Sequence, residues 1–199
     1  MSHALVRLAL FSLAVTVACG DSGSGPDLEG TSTVRVLLTD EPDDLAHAWV
    51  EIREIYLQGG DAGGRLVLFE GTSGPIDLLT LVDDLFELVE ADVPSGRYGQ
   101  LRLVLDGAAI ETEAGLVFAT TDADVPGGGA ADGELQCPSC TTTGIKVLLQ
   151  GRDLTLDDPL ETFVLDFDVD DSFARPAGQS GRWVLSPVIK LFDDPAGAD

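Results

Sequence analysis

Basic side chains are scarce in this sequence. Eleven Lys and Arg face 35 Asp and Glu, and the only lysines are Lys146 and Lys190. The formal charge of −24 excludes a nucleic-acid backbone as the main partner, because phosphate binding needs clustered Lys and Arg. It also argues against electrostatic docking onto anionic lipid. Histidine is nearly absent, with His3 and His47 alone, and cysteine is limited to Cys19, Cys137 and Cys140. A long apolar run is missing too. The run Leu8–Ala18 has 11 residues, and a membrane-spanning helix needs about 20. Hydrophobic residues nevertheless make up 44% of the chain, which excludes the low-hydrophobicity composition of disordered chains. A length of 199 residues fits one domain with short appendages.

The first segment reads as an address. Arg7, the short apolar run and small residues before Cys19 form a secretory pattern. Thr16-Val17-Ala18-Cys19 resembles the bacterial lipoprotein lipobox. The resemblance implies cleavage of residues 1–18 and a diacylglycerol on the Cys19 sulfur. Residues 19–32 then form the lipid anchor and a Gly, Ser, Asp and Pro-rich linker. Gly20 follows the anchor where an Asp signals inner-membrane retention. The expected location is the cell envelope, in the outer membrane where the source has two membranes.

Residues 33–192 read as short strands between Gly and Pro turns. Val34, Val36 and Leu38 alternate with Arg35 and Leu37. In HAWVEIREIYLQ, the residues Ala48, Val50 and Ile52 share a face. Ile55 and Leu57 join that face only through a β-bulge near Arg53 and Glu54. Leu101, Leu103 and Leu105 form another apolar face, and Glu113-Ala114-Gly115 marks a hairpin. GIKVLLQ, ETFVLDFDV and RWVLSPVIKLF are further strands. Leu81, Val82, Leu85, Phe86 and Val89 have helical spacing, with Thr80 as a cap. The expected fold class is therefore all-β, a single antiparallel β-sandwich with one short helix near residues 80–90. Val36, Leu38, Val50, Ile52, Leu101, Leu103, Leu105, Val147, Leu149, Leu165, Phe167, Val169, Val184 and Val188 are the expected core. Residues 193–199 are expected to form a disordered tail.

Chemistry-bearing motifs are few. Cys137 and Cys140 are separated by Pro138 and Ser139. Zinc would need further Cys or His ligands, which the mature chain lacks apart from His47. A redox site would need a following helix, and a strand follows instead. A short-loop disulfide in an oxidising compartment is the expectation. Asp166, Asp168 and Asp170 match the opening of an EF-hand loop. Asp171 and Ala177 stand where that loop requires Gly and Glu. Alternation explains the aspartates as the solvated face of a strand, and no metal site is assigned. A calcium site joining Asp168 or Asp170 to Asp40, Glu41, Asp43 and Asp44 stays open. His47 has no G-x-S-x-G partner, Ser95 reads as a turn residue, and GGDAGG lacks the features of a P-loop. No catalytic residue and no cofactor is assigned. Trp49 shares strand parity with Glu51, on the non-core face.

Taken in order, VRVLLTDEPDDLAHAWVEIREIYL, IDLLTL, ADVPSGRYGQLRLVL, TGIKVLL, FVLDFDVDDSF and WVLSPVIKL resemble the bacterial and archaeal domain-of-unknown-function family 4382. VPSGRYGQLRL is similar to the turn-and-strand of prealbumin-like and carboxypeptidase-regulatory-like sandwiches. The resemblance implies an extracytoplasmic all-β domain, and it supplies no catalytic residue to carry over. The expected role is a lipid-anchored binding, adhesion or envelope-structural module, with a carbohydrate or protein at the cell surface as its ligand. The alternative is a polysaccharide-directed hydrolase or a calcium-dependent carbohydrate-binding module.

Overall fold

The structure is a computed structural model, which describes residues 30–40, 45–59, 64–82, 84–121, 123–147, 154–174 and 182–192. The chain opens with β1 (Thr31–Thr39), β2 (Leu45–Gln58), β3 (Arg65–Glu70) and β4 (Pro75–Asp77). A 3-10 turn (Leu78–Leu81) leads to β5 (Phe86–Pro94), β6 (Gly96–Tyr98) and β7 (Gln100–Thr112). Then come β8 (Val117–Ala119), β9 (Gly133–Gln136), β10 (Ile145–Lys146), β11 (Leu154–Leu156) and β12 (Leu160–Asp168). The four-residue helix α1 (Val169–Ser172) precedes β13 (Phe173–Ala174), β14 (Trp183–Leu185) and β15 (Val188–Phe192).

The fold is all-β and sandwich-like. One sheet has the order β15-β12-β1-β5, and the larger runs β13-β14-β9-β8-β7-β2-β3. β10 adds to β7, β4 adds to β2, and β11 pairs β6 in a small third sheet. The sheets are mixed, not purely antiparallel. β1 runs parallel to β12, β14 to β9, and β8 to β9. Strands distant in sequence pair here, so no local turn fixed their direction.

Alternation builds β1. Val34, Val36 and Leu38 are fully buried, whereas Arg35 and Leu37 are half-exposed. The strand starts within the expected linker: Thr31 and Ser32 pair with Pro94 and Val93, and Ser32 is buried. On the larger sheet, Ala48, Val50, Ile52, Ile55 and Leu57 meet Ile110, Ala108, Leu105, Leu103 and Leu101 in register. All ten are buried in one core cluster with the inner residues of β1 and β12.

That register needs two bulges. β2–β7 pairing shifts between Glu51 and Ile52, and again between Ile52 and Glu54. Asp106 is thereby left over on β7 and Arg53 on β2. An odd residue inverts a strand's faces, so one bulge in each strand keeps the two inner faces opposed. The sequence marks only the bulge at Arg53.

Several expectations change. The helix near 80–90 is absent: the 3-10 turn ends at Leu81 and Phe86–Pro94 is strand. Thr80 does not cap it; its hydroxyl donates to the Asp77 carbonyl. Val89 and Ala91 instead face Val36 and Val34 across β1, so tertiary pairing overrode the helical spacing. Gly133–Gln136 form β9, a strand that no alternation in the sequence marks. RWVLSPVIKLF divides into two strands in different sheets. Its inward residues are Trp183, Leu185, Ile189 and Leu191, whereas Val184 and Val188 are half-exposed. Asp166 is buried, not solvated, and β12 ends at Asp168, which accepts from the Asp171 amide at 2.9 Å and starts α1. Leu149, Cys19, the signal segment 1–18, the tail 193–199 and the loop residues Glu41, Asp43 and Asp44 lie outside the described residues.

The strand parity of β14 can be tested by truncation. Leu185 is 1% exposed, so Leu185→Ala is expected to cost about 2–5 kcal/mol in urea unfolding. Val184→Thr on the opposite face is expected to stay within about 1 kcal/mol. Comparable losses at both positions would contradict the register.

Candidate functional site

The outer face of the β2–β7 pair carries the polar chemistry of the domain. Along β2 the outward residues are His47, Trp49 and Glu51, then the bulged Arg53. Their β7 partners are Glu111, Ala109 and Gly107, with Asp106 beside Arg53. The two bulged residues meet, Arg53 Nη1 lying 3.5 Å from Asp106 Oδ1. Arg53 Nη2 donates to the Thr141 carbonyl at 2.8 Å.

Gly107 permits a close crossing. A Cβ there would lie 2.5 Å from Ala123 Cα, so only glycine lets the segment after β8 lie against the sheet. That segment is tied at both ends. Thr120 and Ala108 exchange hydrogen bonds, Ala108 N–H donating to Thr120 Oγ1 at 3.1 Å and Thr120 N–H to the Ala108 carbonyl at 2.9 Å. The Asp124 amide donates to Glu51 Oε1 at 2.7 Å.

Glu51 is consequently buried beneath that segment, 6% exposed. Burial pushes its carboxyl above the ordinary range. The Asp124 amide opposes that shift, and the Asp124 and Asp106 carboxylates reinforce it. A carboxyl so placed beside a cleft is a mark of functional sites. Sequence reading passed over Glu51; its available signal was an acid on the strand face shared with Trp49.

The turn at 137–144 docks on the same edge of β7. Leu105 N–H donates to the Cys140 carbonyl at 3.0 Å. The Thr143 carbonyl accepts from Tyr56 Oη at 3.2 Å and from Arg102 Nη1 at 2.8 Å. Gly144, at φ 70°, would place a Cβ 2.9 Å from the Leu103 carbonyl oxygen. The Cα atoms of Cys137 and Cys140 are 5.5 Å apart, within disulfide range. Cys140 is buried and Cys137 is half-buried.

Between these two attachments, where β7 changes partner at its bulge, a cleft of about 430 Å³ opens. Gly107 and Ala108 form its floor. Thr120 and Thr121 line one side, β9 residues Glu134–Gln136 another, and the Cys137–Thr141 turn the third. Glu134 accepts from Gln136 Nε2 at 3.2 Å and lies 3.6 Å from Arg182 Nε. The structure thus brings Cys137 and Cys140 to a cleft wall, a position the sequence did not indicate.

One strand step away, His47 Nδ1 is 2.5 Å from Asp77 Oδ2, and its ring stacks on Trp49 with centroids 4.8 Å apart. Trp49 is half-buried, whereas Trp183 is buried against Phe118. Ser95 is a turn residue whose hydroxyl meets Ser32. On the other sheet, Lys190 binds Asp168, whose carboxyl is held low. Burial works against that shift, and the Lys190 ammonium and the Asp171 amide outweigh it. Among the described residues, Asp157, Asp158 and Glu161 are the one trio of close carboxylates, exposed or half-exposed before and within β12.

Glu51→Gln tests the buried carboxyl. A carboxyl raised on folding is most stabilising when protonated, so its contribution is lost as pH rises through the folded-state value. The amide keeps the acceptor for Asp124 without the charge. Glu51→Gln is therefore expected to raise stability at pH 7 by roughly 1 kcal/mol, the scale of a single buried polar group. The gain should shrink as pH falls toward the ordinary carboxylate range. Melting curves across pH check this; a loss of stability at pH 7 would contradict it.

Comparison with known proteins adds a family. No curated protein matches this chain. The NMR structure of a protein from Eubacterium rectale aligns over 85% of this chain and 94% of its own, at 9% identity and a TM-score of 0.23. A likeness that slight bears on neither fold nor function. The family model described as Domain of unknown function (DUF4382) matches residues 31–187, from the first residue of β1 to beyond β14. Across that span, the chain belongs to the DUF4382 family.

Proposed function

We propose that this chain is a non-catalytic binding module of the cell envelope, held at a membrane by lipid on Cys19. The signal-like segment and Cys19 support the tether, and Gly20 favours the outer membrane in a two-membrane cell. The observation that carries the binding role is the cleft at Gly107. Its volume of about 430 Å³ falls in the range of small-ligand pockets, roughly 300–1,000 Å³. Thr120, Thr121, Glu134, Gln136 and Thr141 give it hydrogen-bonding groups, and Leu135 and Pro138 give it apolar surface.

The hydrolase alternative has less support. Glycoside hydrolysis uses two carboxyl groups across the scissile bond, and Glu134 is the sole carboxylate among the cleft's described lining residues. His47 is engaged by Asp77, and no hydroxyl or thiol is hydrogen-bonded to it among the described residues. We also propose that Cys137 and Cys140 are disulfide-bonded, stiffening one cleft wall. A loop this short removes little chain entropy, so the bond acts on the turn more than on global stability.

Two measurements on protein extracted from membranes test the proposal. Its intact mass is expected to start at a diacylated Cys19 and to lack two hydrogens at Cys137 and Cys140. An unprocessed N-terminus or two free thiols would contradict the tether or the bond. The mature protein is further expected to sediment with polysaccharide isolated from its own envelope. Thr121→Trp, which fills the cleft, is expected to remove that sedimentation. Equal sedimentation of both, or of neither, would reject the cleft as the binding site.

A further inference from the structure

We infer that the free edge of β5 receives an added strand from a partner protein, an extended segment in which Lys or Arg alternates with aliphatic residues. This site is separate from the cleft. β5 is the outermost strand of the β15-β12-β1-β5 sheet, whereas the cleft lies at β7 and β9 of the other.

The edge is open in two respects. β5 pairs with β1 on one side only. Among the described residues, nothing but β1 bonds to the backbone of Phe86–Val93. A row of peptide groups left unpaired in this way can take a further strand, and strand addition is a recurrent mode of protein recognition. The core is also open here. Val89 and Ala91 are registered with Val36 and Val34 and share their inward face. Val34 and Val36 are fully buried, yet Val89 and Ala91 stay half-exposed. β3 of the facing sheet comes near β5 without sealing it. Leu85 and Phe86, 41% and 42% exposed, extend the apolar rim beyond the bulge at Leu88.

Charge selects the occupant. From Val89 to Val93 the strand is regular, with Val89, Ala91 and Val93 inward and Glu90 and Asp92 outward and exposed. Arg35 Nε lies 3.3 Å from Glu87 and donates to Glu90 at 2.9 Å, so one guanidinium serves two acids. Asp92 accepts from the Thr33 hydroxyl at 2.8 Å, a neutral partner. The outer face therefore keeps an excess of negative charge. Two copies of β5 side by side would set these acids against one another, which disfavours a second copy of the chain. The chain's own linker, residues 20–29, carries Asp21, Asp27 and Glu29 and no basic residue, so its sign is wrong too. A basic strand has the right sign, and the overall charge of −24 steers it toward the protein. Registered residues of neighbouring strands share a face. Aliphatic side chains on the added strand would thus cover Val89 and Ala91, while the alternate Lys or Arg side chains meet Glu90 and Asp92. One period-two pattern satisfies both faces.

Calorimetric titration of the full mature protein with synthetic octapeptides is the test. Alternating Lys-Val is the probe. Its counterparts are alternating Glu-Val, alternating Lys-Ser, and Lys-Val N-methylated at every residue, which keeps the charge but has no N–H to donate. Lys-Val is expected to bind more than tenfold tighter than each of the other three. The double variant Glu90→Lys/Asp92→Lys is expected to reverse the preference toward Glu-Val. A second readout uses the unaltered protein and does not depend on that variant folding. Bound Lys-Val is expected to slow hydrogen exchange at the β5 amides that β1 does not bond, and to leave the amides of β3, an edge strand of the other sheet, unchanged. Equal binding of the N-methylated peptide would reduce the effect to charge alone and overturn the inference. Absence of binding, equal binding of Lys-Ser, or protection of β3 in place of β5 would overturn it as well. A dimer of the free protein in which those β5 amides are already protected would assign the edge to a second copy and reject the basic partner.

Discussion

Two of the residues that the β2–β7 ladder leaves unpaired, Arg53 and Asp106 in its middle, govern the rest of this structure. Each is an insertion into its strand, and each alone would turn an apolar face outward. Together they cancel. Ile52 and Leu105 stay opposed on one side of the bulges, and Val50 and Ala108 on the other. The cost of two interrupted ladder positions is offset by ten buried inward side chains in one core. The bulges also free the edge of β7 at Gly107. Thr120 binds that edge on one side of the gap and Cys140 on the other, and the cleft is the space left between them. Core register and cleft are therefore consequences of the same local irregularity.

Electrostatics shows how a chain short of cations uses them. Arg53 and Arg102 direct donors to the backbone carbonyls of Thr141 and Thr143, not only to acids. These bonds hold the Cys137–Gly144 turn on the sheet and satisfy carbonyl groups that no strand partner reaches. Glu51 receives no such help. Its buried carboxyl has an amide for a partner and two carboxylates for neighbours. A core optimised for stability would place an apolar or amide side chain there.

Much of the architecture was legible because period two survives in single strands. Val34, Val36 and Leu38 on β1 and Leu101, Leu103 and Leu105 on β7 are buried as their alternation implies. The break between Ile52 and Ile55 showed the bulge in β2. The bulge in β7 was hidden, because Gly107, Ala108 and Ala109 are too small to mark a face. Strand direction was illegible for a different reason: β1 and β12 pair over more than a hundred residues, and nothing local encodes a parallel partner. The Phe86–Ala91 segment carried helical spacing yet became an edge strand, in which Val89 and Ala91 pair with Val36 and Val34 of β1 while Phe86 stays exposed. The candidate site was the least legible part. Trp49 could be placed on the outer face, but Glu51, Gly107, Thr121 and Glu134 converge only through the crossing of the 120–125 segment, which sequence does not specify.

Amide hydrogen exchange at Asp124, followed by NMR, tests that crossing most directly. This amide has no strand partner, and its bond is to the buried Glu51 carboxylate. If the segment is fixed on the β2–β7 face, the Asp124 amide exchanges slowly, on the scale of the neighbouring Ala108 amide, and Glu51→Ala releases it. Exchange at the rate of an unstructured loop in the native protein would contradict the account, because the cleft would then lack the wall that defines it.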